Sequence, residues 1–205
     1  MTEIPDDLAA RHARYPDAAI RAILDRTRHI ALVGASANPA RPSWIVLKYL
    51  LARGYAVTPV NPGLAGQDLL GQRVVATLAE AQAARKGQGS SEGGDRGGSE
   101  GLDMVEIFRN SAAAGPLVDE ALALDPLPAT IWMQLGVRDD AAAARAEARG
   151  VTVVMNRCPK IEYGRLSGEI GWTGVNSRIL SARKPVLAKG GVQKLTIADR
   201  RGPRS

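Results

Sequence analysis

The 205 residues, 45% of them hydrophobic, give enough chain for one domain with a buried core plus extensions, no apolar run approaches the roughly 20 residues that span a bilayer, and residues 1–15 lack the basic start and apolar centre of a signal peptide. A single cysteine, Cys158, excludes an internal disulfide framework and fits a reducing cytoplasm. The formal net charge is +6, but residues 178–205 alone carry eight Lys/Arg against one acid, Asp199, so the rest of the chain is near neutral and the high pI is no argument for nucleic acid.

Residues 1–15 carry little pattern and are expected to wrap the surface or fray as an N-terminal extension. Pro16-Asp17 opens a short helix whose Ile20, Ile23 and Leu24 form an apolar stripe. Ile30 to Val33 is a continuous apolar run, the mark of a parallel strand covered on both faces, and Gly34 ends it at a sharp turn. Pro42 suits a helix's first turn, Ile45, Val46, Tyr49 and Leu50 recur at helical spacing, and Gly54 is a C-cap candidate. Tyr55 to Val60 supplies a second strand. Such a strand–loop–helix–strand unit presents backbone N–H groups and a helix N-terminus that attract anions, phosphate above all.

Beyond Asn61-Pro62-Gly63 the chain is turn-rich to Gly71, and Arg73 to Ala76 forms a short strand. Thr77 and Glu80 stand at capping-box spacing for a helix to about Arg85. Residues 86–101 contain no hydrophobe and read as a flexible Gly/Ser loop inserted within the domain. Leu102 to Phe108 is strand-like, Ser111 caps a helix carrying Leu117, Val118, Ala121 and Leu122, and Ala129 to Gln134 is another strand. Asp139 or Asp140 starts an Ala-rich helix that Gly150 ends, and Val151 to Met155 is the last clear strand. The alternation of helix and strand predicts an α/β domain, a single Rossmann-like, doubly wound, mostly parallel sheet with helices on both faces.

In such sheets ligands bind just beyond the carboxyl ends of the strands. The residues there are Gly34, Ala35 and Ser36; Asn61 and Pro62; Arg109; Gln134 and Gly136; and Asn156, Arg157 and Cys158. They offer neutral hydrogen-bonding groups and guanidinium, with no histidine and no carboxylate, so neither a general acid–base pair nor a metal site is predicted. His29 precedes its strand, at the opposite end, and His12 is given no role. Cys158 reads either as a thiol facing the ligand or as a small buried hydrophobe. Glu162, the nearest carboxylate, reads either as a catalytic group or as a salt-bridge partner. The dinucleotide pattern of three glycines is missing, with Gly34 alone present, and the second strand ends Val60-Asn61-Pro62 without the ribose-binding carboxylate; both count against NAD. The loop instead carries Ser36, Arg41 and Ser43, donors suited to a phosphate-rich ligand.

Gly34-Ala35-Ser36 with Pro39 and Arg41-Pro42-Ser43, Val60-Asn61-Pro62, Val105 to Arg109, Trp132 to Gly136 and Val153 to Cys158 occur in one order. Together they resemble the bacterial stand-alone CoA-binding proteins, the YccU-like group, whose single domain is similar to the CoA-binding domain of the succinyl-CoA synthetase α subunit. The resemblance covers about residues 16–166. It implies a nucleotide-binding protein of the cytoplasm whose cofactor is coenzyme A or acyl-CoA. Gly34, Ala35, Ser36, Arg41 and Ser43 would hold the phosphates of its ADP part, and Asn61 and Pro62 would border the adenosine end. Arg109 and the turn from Gln134 to Gly136 would line the path of the pantetheine arm, with Cys158 as a candidate neighbour of the thiol. The synthetase's phosphorylatable histidine has no counterpart, since no histidine follows His29, so ligase chemistry is not implied.

The expected function is therefore binding of CoA or acyl-CoA without catalytic apparatus of its own. The competing expectations are an NAD(P)-dependent oxidoreductase, or an acyl-CoA enzyme using Cys158 or Glu162. Residues 167–205 form a basic C-terminal extension, which offers phosphate contacts to an acidic partner but no interleaved aromatics for base recognition in its last third; nucleic acid is not the expected partner, and neither is a membrane.

Overall fold

The computed structural model describes residues 10–87 and 101–168. The Gly/Ser tract, apart from its two ends, and the basic extension beyond Gly168 lie outside the described residues. The elements are α1 (Asp17–Arg26), β1 (His29–Val33), α2 (Pro42–Ala52), β2 (Ala56–Val60), a 3-10 turn (Pro62–Leu64), β3 (Asp68–Leu69), β4 (Gln72–Arg73), α3 (Leu78–Gly87), β5 (Met104–Ile107), α4 (Ser111–Leu122), β6 (Thr130–Met133), α5 (Asp140–Ala148), β7 (Thr152–Val154) and α6 (Pro159–Leu166).

Five parallel strands form the sheet in the order β2-β1-β5-β6-β7. From β1 the chain passes first to β2 on one side and later to β5 on the other, so the crevice between β1 and β5 is the topological switch point. The side chains of these strands alternate between two cores. On one face Ala31, Val33, Val105, Ile107, Ile131 and Met133 pack against α3, α4 and α5. On the other Ile30, Leu32, Met104, Trp132 and Val154 pack against α1, α2 and α6. Burial on both faces is why the strands read as unbroken apolar runs rather than as alternating ones.

The caps differ from expectation in instructive ways. Asn110, not Ser111, caps α4, its Oδ1 accepting from Ala113 N at 3.0 Å. Ser111 instead ties two loops: its Oγ accepts from Arg138 N at 3.0 Å and donates to the Gly136 carbonyl at 3.4 Å. Asp139 caps α5. At α3 the Thr77 hydroxyl accepts from Glu80 N as predicted, but Glu80 accepts from Ala76 N, one residue before the cap. The short strand expected at Arg73 to Ala76 is displaced. Gln72–Arg73 pairs with Asp68–Leu69 in a hairpin, and Val75 makes a lone parallel bridge to Val60. Gly54, at φ +85°, takes the left-handed conformation that ends α2.

Candidate functional site

A cavity of about 890 Å³ opens at the carboxyl ends of the strands, beside the switch point. Three close approaches build it. Gly34 N and Ala35 N both reach the Val60 carbonyl, at 2.9 and 3.3 Å, folding the loop after β1 over the end of β2. Asn61 locks that fold: its Nδ2 donates to the Ala35 carbonyl at 2.7 Å and its Oδ1 accepts from Gly63 N at 2.9 Å. Phe108 N donates to the Val33 carbonyl at 2.8 Å, carrying β5 across the back of the Gly34 turn. Gly34 sits at φ +89°, and a Cβ there would lie 2.5 Å from the Phe108 carbonyl oxygen. Only glycine satisfies both the conformation and the space.

Gly34, Ala35, Ser36, Arg41, Ser43, Asn61, Arg109, Gln134 and Cys158 line this one cavity. Pro62 and Gly136 do not; their neighbours Gly63, Leu64, Leu135 and Val137 do, so these two residues shape its wall from behind. Gly136 is placed by Asn156, whose Oδ1 accepts its N–H at 2.8 Å while Asn156 itself stands at φ +55°. Arg157 points elsewhere, its guanidinium over the Tyr15 ring at 5.4 Å and near Glu162. Ser36 Oγ accepts from Asn38 N at 3.2 Å, a turn that shapes the loop between β1 and α2.

Polar and apolar groups alternate along the cavity. Around β1 and β2 it is walled by Ser36, Asn38, Arg41, Ser43 and Asn61 together with Ile45, Val46 and Leu64, with the N-terminus of α2 beside them. Toward β6 and β7 the walls are Leu135, Val137 and Ile161 together with Gln134, Cys158 and Lys160. Lys160 is a lining residue with no signal in the sequence to single it out. It is the second residue of α6, a second helix N-terminus on the same cavity, and the Pro159 that opens that helix mirrors the Pro42 opening α2. Arg41, Arg109 and Lys160 thus bring three cationic side chains to one wall system.

Glu106 is a second residue missed. It lies on β5, fully buried, beneath the cavity floor. The strand-end rim holds no carboxylate, but one residue deeper there is one. Gln134 Nε2 donates to its Oε1 at 3.2 Å. Burial pushes the Glu106 carboxyl well above the usual carboxylate range, because nothing nearby compensates a charge there. A signal existed in the sequence, a lone charged residue inside Met104 to Phe108, an otherwise apolar strand.

Cys158 faces the cavity with only 6% of its surface exposed. Burial first, and then the Glu106 carboxyl, push its thiol up to about 11, against the opposing pull of the Ile161 amide, the Gln134 side chain and the Lys160 amide. The thiol is accordingly protonated near neutrality. Glu162 does not line the cavity. Arg165 holds it at 2.7 Å and Arg157 stands 3.7 Å away, and Arg165 also reaches Asp17, so Glu162 belongs to an ionic clasp between α6 and α1. Among the described residues no group of three or more His, Cys, Asp or Glu could hold a metal, and no helix is long and apolar enough to cross a membrane.

Comparison with known proteins agrees with the geometry. YneT of Bacillus subtilis (strain 168), an uncharacterized protein, is 30% identical over 146 residues, which span 71% of this chain and 93% of YneT. A solved structure from Thermus thermophilus, described as cell-free ID.343, is 32% identical with a TM-score of 0.59, covering 74% of this chain and 99% of that one. A hypothetical protein from Pyrococcus horikoshii OT3 is 29% identical with a TM-score of 0.61, covering 82% of this chain and 100% of that one. The family model described as the CoA binding domain matches residues 28–164, from the residue before β1 into α6, and so takes in every wall of the cavity. The chain belongs to the CoA-binding domain family.

Proposed function

We propose that this protein binds coenzyme A or an acyl-CoA in the cavity at the switch point and performs no chemistry on it unaided. The observation that carries the reading is the cationic lining at the switch point: Arg41, Arg109, Lys160 and two helix N-termini share a cavity whose walls also offer Leu135, Val137 and Ile161. CoA brings groups for both kinds of wall, a phosphorylated ADP part and a thin, weakly polar pantetheine arm. In this reading Gly34, Ala35, Ser36, Arg41 and Ser43 take the ADP phosphates, and Arg109 and Lys160 add positive charge along the path of the arm. The loop about Asn61 and Pro62 borders the adenosine, and the arm runs past Gln134 and the Gly136 turn toward Cys158.

Three features favour binding over catalysis and CoA over NAD. The Cys158 thiol is held protonated, so it is a poor nucleophile. Glu162 is occupied by two arginines. The second strand ends at Asn61, whose amide is spent on Ala35 and Gly63 and offers no carboxylate to a ribose. Charge reversal tests the assignment. Arg41→Glu and Lys160→Glu should each weaken CoA at least tenfold in calorimetric titration; Arg41 is exposed, so its variant should keep the melting temperature within about 2 °C, whereas Lys160 is half-buried with its Nζ 5.8 Å from the Tyr49 ring centroid, so its variant is compared after folding is verified. Unchanged affinity in both variants would refute the phosphate assignment.

A further inference from the structure

A buried carboxyl with an unsatisfied oxygen costs stability. Glu106 is such a group: fully buried in the sheet, its Oε2 has no hydrogen-bond partner among the described residues. What it does make is one bond, Oε1 accepting from Gln134 Nε2 at 3.2 Å. The other end of the Gln134 amide is fixed as well, since Oε1 accepts from Leu135 N at 2.8 Å. A backbone N–H can only donate, so the Leu135 bond determines which branch is oxygen, and the Glu106 bond holds the NH₂ branch down. The Gln134 side chain also acts on the Cys158 thiol, holding its pKa down against the effect of burial. Gln134 lines the cavity, and its remaining capacity there is the second lone pair of Oε1.

We infer that Glu106 is a positioning residue which locks the Gln134 amide so that the cavity wall presents a hydrogen-bond acceptor, selecting a ligand with an N–H donor at that depth. The inference rests on the CoA reading and deepens it. The donor is a secondary amide N–H of the pantetheine arm, and the ADP part is indifferent to this wall. Glu106 serves as a neutral acid: an ionised carboxylate sealed in the core would demand a counter-charge that no neighbour supplies. Glutamine at 106 therefore does the same work, and leucine does not.

The test uses full-length protein, titrated with CoA and with adenosine 3′,5′-bisphosphate, which lacks the arm. Wild type should bind CoA more tightly. Glu106→Leu, once shown to be folded, should lose about tenfold in CoA affinity, the loss expected for one hydrogen bond, with bisphosphate affinity unchanged. Glu106→Gln should restore CoA binding. Wild-type CoA affinity in Glu106→Leu, or equal losses for both ligands, would overturn the inference while leaving the CoA reading intact. Binding of neither ligand by wild type would overturn both. Should Glu106→Leu not fold, the Gln134 side-chain amide resonances of the wild type decide. Side-chain amide hydrogens shifted from the free-glutamine positions, protected from exchange with solvent and responding to CoA but not to the bisphosphate, are expected; free-glutamine shifts with rapid solvent exchange would refute the lock.

Discussion

Replacing Gly34 by alanine isolates the close approach on which the cavity depends. Two costs arise. The residue sits at φ +89°, where an L side chain costs about 1–2 kcal/mol. The new Cβ would also lie 2.5 Å from the Phe108 carbonyl oxygen and 3.1 Å from its carbonyl carbon, both backbone atoms of a central strand's end and unable to swing aside. Moving β5 or the loop by the required several tenths of an ångström adds an overpacking cost of about 1–3 kcal/mol, so the total is roughly 2–5 kcal/mol. Gly136→Ala provides the control. Its φ is +79°, but nothing lies within 4 Å of the added Cβ, so only the conformational cost applies. Urea unfolding of the three proteins, followed by tryptophan fluorescence, gives both differences directly. Gly34→Ala should be less stable than Gly136→Ala by at least about 1 kcal/mol, and should also bind CoA more weakly because the loop it displaces walls the cavity. Equal stabilities for the two variants would refute the claim that β5 presses on the Gly34 turn.

Asn110→Ala removes the cap that Oδ1 provides to Ala113 N and should cost about 1 kcal/mol in the same unfolding assay, with CoA affinity within twofold of wild type. Glu162→Gln breaks the clasp to Arg157 and Arg165 and should lower stability by about 1–3 kcal/mol while leaving CoA affinity unchanged; loss of binding at full stability would return Glu162 to the site. Glu106 makes stability fall with rising pH. Its folded pKa is raised above the unfolded value of about 4.3, so between the two the folded state holds the extra proton and each pH unit removes up to about 1.4 kcal/mol. Unfolding free energies of wild type and Glu106→Gln measured from pH 4 to pH 8 should diverge upward in pH in favour of glutamine, and parallel curves would refute the neutral acid.

Much of this was legible because the governing interactions are local or periodic. Ile30 to Val33 declares a doubly covered strand by composition, and Pro42, Gly54 and Asp139 mark helix ends by backbone chemistry that depends on few neighbours. Gly34, Ser36 and Arg41 could be named because a strand-end glycine followed by polar donors is itself the phosphate-loop signal. Lys160 could not, since its relevance comes from the β7–α6 connection returning to the same rim as β1, a long-range consequence of strand order. Asn110 and Ser111 exchanged roles because either side chain can cap, and the 136–138 loop across the rim claimed Ser111. Glu106 escaped because a reading of strand ends does not look inside the strand.

The central claim is ligand identity, and isothermal titration of the full-length protein with CoA, against NAD and ADP as controls, tests it most directly. The account predicts saturable binding of CoA, weaker binding of ADP through the phosphate end alone, and NAD no tighter than ADP. Binding of NAD with no response to CoA would contradict it.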